Sequence, residues 1–434
     1  MITKEGDKKV LIVTYYWPPA GGPGVQRWLK FVSYLPQFGI EPIVYIPENP
    51  AYPIVDENLQ NQVPEGITII KQPIREPGSF AKKLFSNKTK QLQSGILPSR
   101  KASFATRCML YIRANFFIPD ARVGWVKPSI AYLKKYCKEN HINTLITSGP
   151  PHSLHLIGLQ LQKEIGVKWL ADFRDPWTTI HYFAQLPLGK RAIKKHKELE
   201  KEVLAAADCI TVTSNLTQEE FKKLTNKSIY VVTNGYDAEQ LPKDPIPLDT
   251  KFSIAHIGSL LSDRNPKLLW KALADLIIVY PSLKEDLQIT LAGVVSEEVL
   301  TSIADAGLEN YVQNLGYISH TEAIRLQHAS QILLLLEMDK EETKVILPGK
   351  LFEYMAAKRP ILALGPEGGA IEPVLKETNA GVYYSYQKFN AIYSYLERQY
   401  LIYRTGTIQV QSNGIATYSR EAVSKKMAAV LHNL

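Results

Sequence analysis

Apolar residues fall along this chain in short unbroken runs, separated by stretches of helical spacing. Residues 10–16, Val-Leu-Ile-Val-Thr-Tyr-Tyr, are the first such run. It shows no polar–apolar alternation, which predicts a strand covered on both faces, as in a parallel sheet. Val25, Trp28, Leu29, Val32 and Leu35 then recur on one helical face, and Gly39 ends that helix. A strand over 42–46 completes a strand–loop–helix–strand unit of Rossmann type. The same rhythm predicts strands over 67–72, 144–148, 169–173, 209–213 and 229–233, with helices over 154–165 and 190–207. Pro242, Pro245 and Pro247 interrupt it and mark a linker over 244–248. Strands resume at 252–257 and recur at 288–292, 311–316, 332–336, 361–364 and 381–384, and a last helix ends near Leu434. The expected fold class is therefore α/β, with two Rossmann-like domains over 1–240 and 250–415.

Open α/β sheets bind ligands beyond the C-terminal ends of their strands, so the chemistry is sought there. The first strand ends in Trp17-Pro18-Pro19-Ala20-Gly21-Gly22-Pro23-Gly24. This is not a GxGxxG pattern, so no dinucleotide site is read. Its glycines, Gly22 among them, let the backbone approach a ligand or a facing domain. The strand over 144–148 ends in Gly149-Pro150-Pro151-His152-Ser153, which puts His152 at a ligand-facing position, with His155 one helical turn on as its rival. The strand over 169–173 runs into Asp172-Phe173-Arg174-Asp175-Pro176-Trp177. Two carboxylates flanking an arginine suit metal ligation, acceptor recognition or a self-contained ion-pair cluster that orders the loop. The spacing is not the Asp-x-Asp of metal-dependent sugar transfer, so acceptor binding or loop ordering is favoured and no metal is expected. After the strand over 252–257, the turn that begins at Gly258 holds one cation, Arg264.

The stretch 347–362 organises the second half. Pro348 and Gly349 suit a helix start, and Pro360 forbids continuation. Leu351, Tyr354 and Met355 give one apolar face, while Lys350 and Glu353 fall on another. A lysine in a first helical turn faces the positive end of the helix dipole, an unfavourable place unless an anion is bound there. Glu353, one turn on, accepts only, and takes two hydroxyls at once. An anion plus a vicinal diol describes a nucleoside diphosphate.

This stretch resembles the donor-site motif of family 4 glycosyltransferases, the retaining nucleotide-sugar enzymes of GT-B architecture. The glycine loop after the first strand, the Asn234-Gly235-Tyr236-Asp237 turn and the Arg174-Asp175-Pro176-Trp177 pattern extend the likeness over most of the chain, the last of them toward bacterial polysaccharide enzymes. The resemblance implies two parallel sheets facing across a cleft. Residues 1–240 would form the acceptor domain and 250–415 the donor domain, with 416–434 a helix returning to the first domain. It implies that Glu353 binds the ribose, that Gly258, Gly349 and Gly22 border the donor, and that Arg264 and Lys350 meet its diphosphate. His152 would lie near the sugar, with Asp172, Arg174 and Asp175 at the acceptor. The base would lie near Gly316-Tyr317-Ile318. The nucleotide-sugar is a substrate, so no cofactor is implied. One departure stands out. The family pattern has a second Glu eight positions before the ribose Glu, where this chain has Val345, with Glu341 and Glu342 out of register. The donor sugar and the stereochemical outcome are therefore left open.

Composition narrows the setting. The chain has 434 residues, 45% hydrophobic and 21% charged, which suits two or three globular domains. No run approaches the ~20 apolar residues of a membrane span, and the polar stretch Met1 to Lys9 leads to the expectation of no signal peptide. Three scattered cysteines give neither a metal spacing nor a disulfide framework, so a reducing, cytoplasmic compartment is expected. The net charge of +9 is uneven: between Glu76 and Asp120 there is no acidic residue, while Lys82, Lys83, Lys88, Lys90, Arg100, Lys101, Arg107 and Arg113 fall there. Such an interval, interleaved with aromatics, suits the anionic inner face of a cell membrane. It fits no nucleic-acid-binding module, so no nucleic-acid partner is expected. The function expected is transfer of a sugar from a nucleotide-sugar to a lipid-linked or polysaccharide acceptor in cell-surface glycan synthesis. The rivals are a GT-B nucleotide-sugar epimerase and, behind it, a basic nucleic-acid-binding protein.

Overall fold

A computed structural model describes residues 7–76 and 104–434. Of the basic interval, Lys82, Lys83, Lys88, Lys90, Arg100 and Lys101 lie outside the described residues, and Arg107 and Arg113 lie within them.

The described residues form two parallel sheets. The first contains β1 (Lys8–Val13), β2 (Ile40–Pro47), β3 (Thr68–Gln72), β4 (Thr144–Gly149), β5 (Lys168–Phe173), β6 (Cys209–Val212) and β7 (Ser228–Val231). Its helices are α1 (Pro23–Tyr34), α2 (Phe104–Phe116), α3 (Val126–Glu139), α4 (Ser153–Ile165), α5 (Lys190–Ala206) and α6 (Asn215–Lys222). The second contains β8 (Phe252–Ile257), β9 (Leu287–Ala292), β10 (Val312–Gly316), β11 (Ile332–Leu336), β12 (Ile361–Gly365) and β13 (Gly381–Ser385). Its helices are α7 (Lys267–Val279), α8 (Leu283–Asp286), α9 (Glu297–Asp305), α10 (His320–Ala329), α11 (Gly349–Ala356), α12 (Ile371–Thr378) and α13 (Phe389–Thr405), and α14 (Arg420–His432) closes the chain.

The strand orders are β3-β2-β1-β4-β5-β6-β7 and β10-β9-β8-β11-β12-β13. Both are doubly wound, with the order reversing beside the first strand of each sheet. Those switch points put the loops after β1 and β4 together in one sheet, and the loops after β8 and β11 together in the other.

The unbroken apolar runs have the predicted consequence. Along β1, Val10 and Ile12 enter one core with Trp28, Leu29 and Val32 of α1, while Leu11 and Val13 enter the opposite core with Tyr45, Trp169 and Phe173. In the second sheet, Ile254, Leu291, Leu334 and Leu364 pack against Leu269, Trp270 and Leu273 of α7. The run 10–16 is shorter as a strand than expected. β1 stops at Val13, and Tyr15 turns away to donate its hydroxyl to the Glu76 carboxylate at 3.0 Å.

The chain divides into two compact units, one running up to Thr233 and taking in Arg420–Leu434, the other Asn234–Ser419. Val423, Met427 and Leu431 of α14 share a core with Trp28, Val32 and Leu35, and the Lys8 ammonium donates to the Leu431 carbonyl at 2.6 Å. The Asn-Gly-Tyr-Asp turn at 234–237 belongs to the second unit, where Tyr236 N–H donates to the Tyr418 carbonyl at 3.1 Å.

Candidate functional site

In the second unit, α11 begins as its sequence dictates. Pro348 caps it in an extended conformation, and Leu351, Phe352, Tyr354 and Met355 are buried. The Tyr354 hydroxyl accepts from Ile257 N–H at 2.9 Å and so holds the end of β8 against the helix. Immediately beyond, Gly258 has φ +128, and a Cβ there would stand 2.5 Å from the Lys350 ammonium nitrogen. Gly293 has φ +123, and a Cβ there would stand 2.6 Å from the Gly258 carbonyl oxygen. Both glycines are thus required for the lysine to reach this place. Arg264, in the turn that follows, points one guanidinium nitrogen at Glu337 Oε2, 3.6 Å away.

Glu337 is the first residue beyond β11 and only 3% exposed. Its Oε2 makes no hydrogen bond, and neither does Arg264 Nε. The Tyr386 hydroxyl lies 2.7 Å from the Glu337 carbonyl oxygen and 3.2 Å from that of Arg264, clamping both loops. Burial raises the Glu337 carboxyl above the ordinary range, against the pull of Arg264 and Lys350. Burial, reinforced by Arg264, pushes Lys350 down to about 8, against Glu337 and Glu353. Two cations, one buried carboxylate and the free N–H groups of a helix start thus surround one point, an arrangement suited to a polyanion. Glu353, half-buried on the same helix, accepts from the Gln327 side chain at 3.2 Å, which orients its carboxylate.

Sequence reasoning placed Gly258, Arg264, Lys350 and Glu353 here and missed Glu337 and Tyr386. Glu337 directly follows the apolar run 332–336, and that strand-end position was the available signal. Val345 is buried, and Glu341 is 76% exposed and paired with Lys344 at 2.7 Å, so Glu337 is the buried carboxylate of this loop. Gly349 has open space around it and serves as the first helical residue. Tyr317, expected near the base, is 93% exposed.

In the first unit, the strand-end residues part company. Asp172 has no exposed surface. Its two oxygens accept from Arg27 at 2.8 and 3.3 Å, Trp28 Nε1 at 3.1 Å, and the Ser148 and Thr211 hydroxyls at 2.8 Å each. Burial alone would raise its carboxyl, but Arg27 and these hydroxyls outweigh it and hold the group below the ordinary range. The acceptor contact expected of Asp172 is therefore corrected: no lone pair is left for a ligand, and the residue ties α1 to three strands. Arg174 spends its guanidinium on the Gly24 carbonyl at 3.0 Å and the Pro150 carbonyl, over the ring of Tyr16. A Cβ at Gly24 would meet Arg174 Nη1 at 2.5 Å, so Gly24 makes this contact possible, while Gly22 (φ +95) supplies the turn before α1. Arg174 thus orders the glycine loop and the 149–152 loop together. Asp175 is half-buried beside it, and burial raises its carboxyl against the pull of Arg174.

His152 stacks on Trp177 with ring centroids 4.9 Å apart and planes 3° from parallel. It is buried, and neither ring nitrogen has a hydrogen-bond partner. Burial, then His155 and Arg174, keep it neutral, well below the usual histidine range. His155 lies deeper, its Nδ1 2.9 Å from the Thr147 hydroxyl, which accepts from Trp169 Nε1 at 2.8 Å. It belongs to the core, which leaves His152, of these two, at a cavity that His196 also lines. That cavity, about 280 Å³, is walled chiefly by Phe117, Pro150, Pro151, Trp177, Tyr182 and Leu186.

No protein-family profile matches the sequence, and no curated protein is detectably similar to it. Solved structures are similar in fold. Sucrose-phosphate synthase from Thermosynechococcus elongatus superposes with a TM-score of 0.61 at 14% identity, over 98% of each chain. HepE from Anabaena, solved in complex with UDP, gives 0.60 at 15% identity, over 98% of this chain and 100% of its own. A protein from Listeria monocytogenes assigned as a UDP-N-acetylglucosamine 2-epimerase gives 0.56 at 10%, over 98% and 96%. Identities this low carry the architecture alone. With two doubly wound parallel sheets in two units, the fold is GT-B.

Proposed function

We propose that the protein is a glycosyltransferase that moves a sugar from a nucleotide-sugar to a lipid-linked or polysaccharide acceptor in cell-surface glycan synthesis. The observation that carries this reading is the cluster of Arg264, Glu337 and Lys350 around Gly258, one helical turn from Glu353. The donor diphosphate would sit on Arg264, Lys350 and the first N–H groups of α11, and Glu353 would take the ribose hydroxyls. Charge that develops on the leaving diphosphate is then met by preorganised donors, the usual means of stabilising such a transition state. This supports a transfer that needs no metal, and the likeness to family 4 enzymes supports retention. His152 would serve the acceptor, with Arg174 and Asp175 holding its loop. α2 carries an exposed apolar face, which supports peripheral contact with an anionic membrane, and no helix among the described residues is long and apolar enough to cross one.

A thermal-shift panel of nucleoside diphosphates and nucleotide-sugars tests the reading, followed by assay of the best donor in EDTA. Stabilisation by a diphosphate, and turnover that survives chelation, are expected. A flat panel overturns the reading, and turnover lost in EDTA and restored by manganese overturns its metal independence. The likeness to the Listeria protein favours epimerisation as the second reading. Conversion of a nucleotide-sugar to its isomer without any acceptor would decide for it.

A further inference from the structure

The cavity beside His152 has more in its wall than one histidine. Leu110 and Ala114 line it from α2, with Phe117 just past the helix end, and Tyr182, Phe183 and Leu186 line it from the 177–187 segment. Asn115 ties these two sides together, donating to the Pro187 carbonyl at 2.8 Å and accepting from Gly189 N–H at 2.7 Å. The cavity is thus built and held open rather than left by loose packing. At about 280 Å³ it lies just under the usual range for ligand sites, room for one six-membered ring rather than a whole glycan.

Two histidines supply its polarity, and Trp177 sets both. His152 stacks flat on the indole, is more than nine-tenths buried and has neither ring nitrogen bonded. His196, also buried, takes the indole N–H on its Nδ1 at 3.1 Å. An indole only donates, so the His196 proton lies on Nε2, and that N–H is what this ring can offer a ligand. Burial lowers both histidines below their usual range, His196 against the pull of Asp120, so both are neutral at pH 7. Two neutral imidazoles offer donors and an acceptor together, the complement of a hydroxyl. A buried imidazole without a partner is costly unless a ligand supplies one.

The rest of the lining shows what such a ligand must lack. Its charged groups are Arg113 and Asp120, and both are answered within the molecule. Arg113 and Arg122 stand against Asp120 and Glu76, two cations to two acids. Asp120 also accepts from Ser153 N–H and hydroxyl at 2.8 and 2.9 Å and from Arg122 N–H at 2.9 Å. Arg174, near His152, faces Asp175 and spends its guanidinium on backbone carbonyls. An ion entering here would lose its hydration and gain no counter-charge. Pro119, Pro150, Pro151 and Pro187 also line the cavity. Proline carries no N–H, so this wall cannot donate to a ligand's hydroxyls. A fully hydroxylated sugar ring would leave most of its hydroxyls unpaired, at a cost for each.

We propose that this cavity binds an uncharged alcohol with a largely apolar ring body, its hydroxyl held by His152 and His196 and its ring against the aromatic and proline walls. The binding stands without the sugar-transfer reading, which supplies only its purpose: on that reading the cavity selects acceptors whose entering end is uncharged and poor in hydroxyls.

The test uses the full chain and calorimetric titration at pH 7 with four compounds built on one ring: cyclohexanol, cyclohexylamine, cyclohexanecarboxylate and myo-inositol. Cyclohexanol should bind at least about tenfold more tightly than the ammonium, the carboxylate or the hexahydroxy ring. His152→Phe keeps the stack on Trp177 and removes the two unbonded nitrogens. It should weaken cyclohexanol by about tenfold while the melting temperature holds or rises, whereas a merely structural histidine would lower the melt and leave the selectivity alone. Ala114→Trp, which fills the cavity from α2, should weaken cyclohexanol by at least about tenfold. In the unaltered protein, an ion or inositol that binds as tightly as cyclohexanol overturns the proposal without reference to any variant, and so does the lack of saturable cyclohexanol binding. Titration of UDP in the same samples reports on the donor site alone. No UDP binding with cyclohexanol binding intact faults the sugar-transfer reading and leaves the alcohol site standing; UDP binding without cyclohexanol binding does the reverse.

Discussion

Each unit of this protein carries a buried arginine–carboxylate contact at the C-terminal edge of its sheet, and the two are opposites. In the first unit, Arg27 and Asp172 meet at 2.8 Å with 1% and 0% of their side chains exposed, and every lone pair of the carboxylate is used. In the second, Arg264 and Glu337 stand 3.6 Å apart, the arginine is 26% exposed, and polar atoms on both sides lack partners. The first carboxyl is held below its usual range and the second is lifted above it. A buried pair that satisfies all its hydrogen bonds fixes a fold. One that leaves donors and acceptors unmet is held in place by its surroundings and gains from a ligand.

The contrast is easiest to break at Asp172. Asp172→Asn points an amide NH2 at the donor-only Arg27 guanidinium and strips that arginine of its counter-charge. A loss of about 3–5 kcal/mol is expected, seen as a fall in melting temperature on the order of 10 °C. An unchanged melt would show that the sealed pair is not structural. Glu353→Ala comes next and should act on the ligand alone. Charge-assisted bonds to ribose of about 1.5–3 kcal/mol each predict a tenfold to hundredfold loss of nucleoside diphosphate affinity by calorimetry. The melt of the free protein should hardly move, since alanine is the better helix former. Intact affinity in a folded variant would remove α11 from the donor site.

Proton linkage sharpens the comparison further. Lys350 titrates near 8 in the folded protein and near 10.5 unfolded. Nucleotide affinity should therefore fall as pH rises through about 8, by roughly tenfold between pH 7 and 9. Stability moves the other way. Between about 8 and 10.5 the unfolded chain binds the extra proton, so this lysine's burial cost is relieved as pH rises. An affinity flat across that window, or one that tracks Lys350→Met unchanged, would rule the lysine out of the anion site. The smallest effect belongs to Glu337→Gln. It removes negative charge from a polyanion site, so nucleotide affinity should rise by about twofold to fivefold, with a melt shift of a degree or two. Weaker binding instead would mean that Glu337 itself holds the donor.

These two pairs also mark what was legible in the sequence. The strands were, because runs such as 332–336 need only local composition to declare burial on both faces. So was α11, whose proline, glycine, lysine and glutamate act within two helical turns. Glu337 was not, because its meaning comes from Arg264 and Lys350, which reach it only through the order β8-β11-β12. Asp172 was misread for the same reason. Its neighbours in sequence, Arg174 and Asp175, suggest a self-contained cluster, whereas its partner Arg27 lies 145 residues away on α1. Strand-end position identified groups that matter. Whether each is sealed or open depended on residues distant in sequence.

The placement of α14 has a consequence for biosynthesis. Its Met427 and Leu431 cover Trp28, Val32 and Leu35, yet the ribosome makes them only after the whole of the second unit. At about 5–20 residues per second, that apolar groove on α1 waits roughly twenty to eighty seconds for its own cover. The second unit is complete in sequence by then. The later unit is therefore complete in sequence before the earlier unit receives the helix that closes its core.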